Sequence, residues 1–168
     1  MAQSPRYCFP LTVYAAQSWY AHFQDGDCEK HNVQQHILRL FQGGEDAFKC
    51  WVKLWDPGER DGTNSHGNVE SPVYYAALLG LDFVIASMFS VYSSTSPKVF
   101  GSVEASAMIN MQGGLDGNAL QAASPKGCEE AVRMLIDNGA DVNMKGGHFG
   151  SALQAAAAGG HEGWLVFC

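Results

Sequence analysis

Charge is scarce in this chain of 168 residues: Asp, Glu, Lys and Arg make up 16%, against about 25% in an ordinary soluble domain. The ten basic residues never stand side by side and are outnumbered by 17 acidic ones, giving a net charge of −7. The basic patch that a nucleic acid or an anionic membrane surface attracts is therefore missing, and neither is expected as a partner. The five cysteines contain no Cys-x-x-Cys pair, no Asn-x-Ser/Thr acceptor occurs, and the opening Met-Ala-Gln-Ser-Pro-Arg is not a basic-then-apolar leader. A reducing compartment, cytoplasmic or nuclear, is the expectation. Gly-x4-Gly-Lys-Ser/Thr and Gly-x-Ser-x-Gly are absent too, so no signature of nucleotide hydrolysis or of a serine nucleophile is present. No enzyme activity and no cofactor are expected. What the chain does have is apolar material, 46% of its residues, enough for a core.

One apolar run tests these exclusions. Residues 73–92 carry a single charge, Asp82, over a length that could cross a hydrocarbon core of about 30 Å. Gly80-Leu81-Asp82 lies in its middle, where an acidic side chain would cost roughly 2.5–3.5 kcal/mol in lipid. The run instead predicts two short buried helices with a turn at Gly80, and no membrane partner.

The strongest signal is an internal repeat. Residues 107–123 (AMINMQGGLDGNALQAA) align with 140–156 (ADVNMKGGHFGSALQAA) at a shift of 33, with 11 of 17 positions identical. Gly127 with Gly160, and Glu129 with Glu162, continue the match. Within one period, Asn118 or Ser151 can accept from the first backbone N–H groups of a helix, and Leu120, Ala122 and Ala123, or Leu153 with its alanines, follow as a short helix of small residues. Gly127 stops it. Glu129 and Glu130 then place negative charge at the start of a second helix, whose Ala131, Val132, Leu135 and Ile136 fall at helical spacing. Gly139 ends that helix. Asp141, Asn143 and the paired glycines supply turn chemistry before the next start. Two short helices and a loop cannot bury their apolar faces alone, whereas stacked copies can.

These residues resemble the ankyrin repeat family. Its helix-one start is matched by Ser71, Pro72, Val73, Tyr74, Tyr75, Ala76 and Ala77, ahead of Gly80, and more loosely by residues 118–123 and 151–156. Its Gly-Ala-Asp-Val-Asn loop stands at 139–143, and its Gly-His-Glu at Gly160, His161 and Glu162. Tyr74, Gln121 and Gln154 occupy the position from which the family bridges neighbouring repeats by hydrogen bonds. The resemblance implies a binding role, with partners meeting the loop tips and the exposed side of helix one. On the tips this maps to Leu115, Asp116, Met144, Lys145, His148 and Phe149.

Three departures stand out. From Ser71 to Asn118 is 47 residues, 14 more than one period, and the excess in the Ser-rich stretch 90–102 reads as a lengthened loop between repeats within 90–106. Pro125 should end the second repeat's first helix a turn early. After Glu162 the third repeat breaks off. Its apolar Trp164, Leu165 and Phe167 mark either a self-association site or a fragment of a longer array, regulatory or non-functional.

Ahead of the repeats, a first helix is expected from Pro10, with Leu11, Tyr14, Ala15, Ser18, Trp19, His22 and Phe23 on one face. A second carries Val33, Ile37, Leu40 and Phe41, and a third Phe48, Trp51, Val52 and Trp55, with Gly43-Gly44 between them. Residues 10–22, Trp51 and the start at Ser71 look like the stretch preceding the array in fungal NACHT-ankyrin (STAND-type) proteins. The expected architecture is all-α: a helical block over 1–56, a polar loop over 57–70, and an incomplete ankyrin-type solenoid over 71–168, with repeats near 71–106, 118–150 and 151–168.

Other chemistry is thin. Cys28, His31, His36 and Cys50 are ligand types suited to zinc, and a zinc-stabilised helical protein is an alternative reading, but only the first pair has a familiar short spacing. Asp25, Asp27 and Glu29 imitate a calcium loop that lacks its closing Glu, so no metal is assigned. Cys28 or Cys50 as a hydrolase nucleophile lacks any local signature.

Overall fold

In the computed structural model, which describes residues 30–42, 45–54, 70–94 and 105–161, the chain divides into two units, 1–56 and 57–168. Every regular element among the described residues is helical.

The first unit contributes α1, Lys30–Gln42, and α2, Glu45–Leu54. Their apolar stripes meet: Ile37, Phe41, Phe48, Trp51 and Val52 are buried. Phe41 sits with its ring centroid 5.2 Å from that of Phe48 and 5.8 Å from that of Trp51. Such tilted aromatic packing adds about 0.5–1.5 kcal/mol per pair beyond area burial. Leu40, expected on this face, is only half-buried, because it falls at the stripe's edge, one position before Phe41. The helix expected from Pro10, the Gly43-Gly44 link, Trp55 and the acidic Asp25–Glu29 cluster lie outside the described residues.

The second unit opens with α3, Pro72–Leu79. The Ser71 hydroxyl accepts from the Tyr74 N–H at 3.2 Å, and Pro72 at the first helical position loses a donor that would have had no helical partner. Gly80 ends the helix at φ +67°. Its N–H reaches the Ala77 carbonyl at 3.1 Å while the Leu81 N–H reaches that of Ala76 at 2.9 Å, the paired bonds of a Schellman cap. Helix α4, Asp82–Ser94, follows immediately. The apolar run is thus two helices broken at Gly80, and no described helix is long and apolar enough to cross a membrane.

Next come α5, Ala105–Ile109, then α6, Ala119–Ala123, a 3-10 turn over Ser124–Lys126, α7, Glu129–Asp137, and α8, Ala152–Ala158. Pro125 does shorten the second repeat's first helix: α6 has five residues where α8 has seven, and the final turn tightens to 3-10 because proline supplies no N–H for an α-type bond. Two expectations need correcting. Residues 90–94, read as loop, extend α4, and residues 105–109 form α5 where the next period has loop. Met108 and Ile109 are buried. The apolar pair Met108 and Ile109 finds cover in helical form, which the alignment with a loop one period on concealed.

First helices stack on first helices, α3 on α6 and α6 on α8, while the second helices α4 and α7 form a row behind them. Alanines make the row of first helices tight, with Ala76, Ala122, Ala123, Ala155 and Ala156 all buried. Small side chains let backbones approach closely, and each helix gains cover only from its neighbours.

Candidate protein-binding surface

Each tip is built by the same five-residue device. Gly113 pairs with Gly117, and Gly146 with Gly150, across isolated antiparallel bridges. The glycines at the second and fifth positions of each tip lie at positive φ, Gly114 and Gly117 at +64° and +100°, Gly147 and Gly150 at +62° and +83°. Side chains rarely adopt this conformation. The frame is therefore fixed, and the two residues between its glycines, Leu115-Asp116 and His148-Phe149, are free to differ.

Consecutive tips interlock through side chains anchored one period back. The Gln112 amide donates to the Lys145 carbonyl, at 2.6 Å, and the His148 N–H to the Leu115 carbonyl, at 2.8 Å. Asn110 clamps the loop base, donating to the Gly139 carbonyl at 2.9 Å and accepting from the Asp141 N–H at 2.8 Å. Below the tips the helix starts carry a second bridge. Gln121 accepts from the Asn118 N–H at 3.1 Å, completing a capping box. Its amide donates to the Met144 and Gly146 carbonyls at 3.2 and 3.1 Å. Tyr74, at the same position of the first repeat, accepts from the Asp116 N–H at 3.5 Å. The expected bridging role thus holds for Tyr74 and Gln121; Gln154 instead accepts from its own capping hydroxyl, Ser151, at 3.0 Å.

The expected contact residues separate into groups. Lys145 and His148 are exposed, while Leu115, Met144 and Phe149 are half-buried. His148 meets Phe149 edge to face, with ring centroids 5.0 Å apart. Asp116 is a correction: it is 4% exposed, because Gly147 of the next tip lies against its carbonyl. The helix-one face also needs correcting, since every residue of α6 is buried and so is every residue of α3 after Pro72; only α8 shows exposed side chains, among them Leu153, expected as a packing residue. Sequence reasoning missed Met111 and Gln112, both exposed beside the first tip. Their counterparts one period on, Met144 and Lys145, are among the expected contacts, and the same alignment points to these two positions.

A family model described as ankyrin repeats (many copies) matches residues 119–166. This stretch belongs to the ankyrin repeat family. A protein of Monascus ruber described as azaphilone pigments biosynthesis cluster protein L is 38% identical over 143 residues, which is 79% of this chain and 28% of that protein. The chain thus spans about a quarter of that relative's length. No solved structure matches it. The all-α fold is accordingly an ankyrin-type solenoid preceded by a helical block.

Among the described residues of the second unit, three titratable groups are shifted by their surroundings. Burial, and then the nearby Glu130 charge, push the Asp82 carboxyl above its ordinary range. Burial likewise pushes the Cys128 thiol up, reinforced by Asp82 and opposed by Lys126. Lys126 keeps an exposed side chain, yet partial desolvation lowers its pKa against the pull of Cys128 and Asp116. A thiol held protonated is a poor nucleophile. Cys128, half-buried, is therefore expected to alkylate more slowly than the exposed Cys50, by about tenfold or more near pH 8. Timed iodoacetamide labelling followed by peptide mass mapping checks this; equal rates would contradict it. Among the described residues no group of three or more His, Cys, Asp or Glu is placed to hold a metal. Of the zinc candidates, His36 and Cys50 are exposed, while Cys28 and the His31 side chain lie outside the described residues.

Proposed function

We propose that this chain is a non-catalytic module that binds a protein partner through its stacked loop tips, in a cytoplasmic or nuclear compartment. Ankyrin repeats generally mediate protein–protein interaction. The observation that carries the assignment to the tips is the contrast between a fixed glycine frame and the variable residues it holds, of which His148 is exposed and Leu115 and Phe149 are half-buried. Leu115, Met144 and Phe149 offer apolar contact, Lys145 and His148 flank them with polar groups, and Met111 and Gln112 extend the surface. A rigid frame presenting one or two apolar anchors inside a polar rim limits the ordering cost of binding. Asp116 has no part in it, being covered.

The test is differential capture from a host extract. A Leu115→Ser, His148→Ser and Phe149→Ser chain is expected to lose those proteins that the unaltered chain retains, while its melting temperature falls by no more than about 6 °C, since three changes at exposed or half-buried positions at about 0.5 kcal/mol each total about 1.5 kcal/mol. Unchanged capture with unchanged stability would remove the tips as the site.

A second reading has its own support. The Monascus relative aligns over 28% of its length, so there the matched region is embedded in a longer protein. A regulatory segment of a larger ankyrin-bearing protein, such as a NACHT-type receptor, is the corresponding proposal. Self-association through Trp164, Leu165 and Phe167 concerns residues outside those described.

A further inference from the structure

Of the asparagines in this chain, only Asn138 precedes a glycine. The pair stands where α7 ends. Both residues are exposed, and nothing comes within 4 Å of the place a methyl would take on Gly139. Asn118, by contrast, is 1% exposed and tied into its capping box, while Asn110 and Asn143 are followed by the methionines Met111 and Met144.

We infer that Asn138-Gly139 is a site of spontaneous covalent modification, converting through a cyclic imide to isoaspartate, and that the conversion releases the Asn110 clamp between the second and third repeats. The Gly139 main-chain nitrogen attacks the carbonyl carbon of the Asn138 side chain. A C–N bond forms there, the side-chain nitrogen leaves as ammonia with the proton from Gly139, and a five-membered imide remains. Water then adds to one of the two imide carbonyls, and the C–N bond at that carbonyl breaks. Opening at the former main-chain carbonyl leaves the chain running through the Asn138 β-carbon, with a free carboxylate beside it. Opening at the other carbonyl leaves an ordinary aspartate. Solvent water is the only co-reactant, and nothing is oxidised or reduced.

Two bonds hold the site back. The Gly139 N–H donates to the Ile136 carbonyl at 2.9 Å, and the Asn138 side-chain amide donates to the Met134 carbonyl at 2.7 Å. Ring closure also turns the Asn138 backbone well away from its ψ of +13°, because a five-membered imide is nearly flat. Helix ends open more readily than helix centres, and glycine lets the peptide plane turn, so the reaction starts from a frayed last turn. Its product cannot settle back. The added main-chain carbon lies just ahead of the Gly139 and Ala140 N–H groups, which close α7 on the Ile136 and Leu135 carbonyls, both at 2.9 Å. Just beyond are the Gly139 carbonyl and the Asp141 N–H that Asn110 grips. The new carboxylate follows Asp137, at a helix end with no basic residue in its last turn, where negative charge is unfavourable. The second tip follows from this loop, so its base is loosened whatever the tips bind.

The test ages the full chain at mildly alkaline pH, folded and in denaturant, and maps its peptides by mass with fragmentation that separates isoaspartate from aspartate. The Asp-Gly bonds after Asp25, Asp61 and Asp116 isomerise without loss of ammonia, so the mass change tells them apart. Conversion at Asn138 is expected in the folded chain, about 10- to 100-fold more slowly than in denaturant, since two hydrogen bonds open first. Asn110→Ala should speed it several-fold in the folded chain and leave the rate in denaturant unchanged. The converted chain, separated by its added charge on an ion-exchange column, should melt below an Asn138→Gln chain aged alongside it. It should also melt below an Asn138→Asp chain, which carries the charge without the extra carbon. A folded chain unconverted at Asn138 after about a thousandfold longer than conversion takes in denaturant overturns the inference, as does a rate indifferent to Asn110→Ala. A converted chain that melts together with Asn138→Asp overturns the release of the clamp.

Discussion

Gly147→Val is expected to destabilise the repeat unit by roughly 3–5 kcal/mol and to unlock its two tips. Two costs add. The backbone there has φ +62°, a conformation that costs an L-residue about 1–2 kcal/mol, and a branched side chain more. Any side-chain carbon would also run into the Asp116 carbonyl and the Gly117 N–H beneath it, both main-chain groups that no rotamer change can move aside. Relief requires lifting the second tip, which gives up the His148 to Leu115 and Gln112 to Lys145 bonds at about 0.5–1.5 kcal/mol each. Gly139→Ala isolates the first cost, because Gly139 has φ +93° with nothing within 4 Å of its methyl position. About 1–2 kcal/mol is expected there, with the tips intact. Urea unfolding gives both values, and amide shifts at Leu115 and Asp116 report the tips. Equal losses in the two variants would mean that tip-to-tip packing contributes nothing.

The same contrast explains what the sequence could convey. Local chemistry was legible wherever a residue's task is set by its own backbone: Ser71, Asn118 and Ser151 as helix starts, Gly80 and Gly139 as stops, Pro125 as a shortener. The 33-residue period made the stacking of first helices legible as well, because copies that match so densely must solve the same burial problem in the same way. Legibility failed where the deciding group belongs to another repeat. Asp116 is an acid at a loop tip, by composition a surface residue, yet a glycine backbone one period on covers it. Leu153 is identical in local context to Leu120 but lacks its cover. Helix α5 misled for a related reason: its length is set by the burial of Met108 and Ile109, not by the alignment that placed them opposite a loop. Of the candidate surface, the glycine frame and the accessible His148 and Lys145 could be read from the chain, whereas the coverage of Asp116, α3 and α6 could not.

Gln121→Ala and Gln154→Ala turn that difference into a measurement. Gln121 is 1% exposed and makes three bonds at once: it accepts from the Asn118 N–H and donates to the Met144 and Gly146 carbonyls. Truncation strips the capping box of its reciprocal half, leaves two carbonyls at the repeat junction without that donor, and opens a void between α6 and the next loop. Each buried polar group left unmatched costs about 1–3 kcal/mol, and water entering the new space recovers part of it. A net loss of about 2–4 kcal/mol is expected, with the junction between second and third repeats weakened most. Gln154 is exposed and accepts only from its own Ser151 hydroxyl, at 3.0 Å. Its truncation to alanine, the better helix former, should cost under about 0.5 kcal/mol. The side chain, the substitution and the neighbouring sequence are the same, so the excess of the first loss over the second measures what the next repeat contributes through one residue. Chemical denaturation of the two variants gives it directly. If the losses agreed within about 0.5 kcal/mol, the amide bridge would contribute only within its own repeat, and the junction would rest on alanine packing and on the bonds of Asn110, Gln112 and His148.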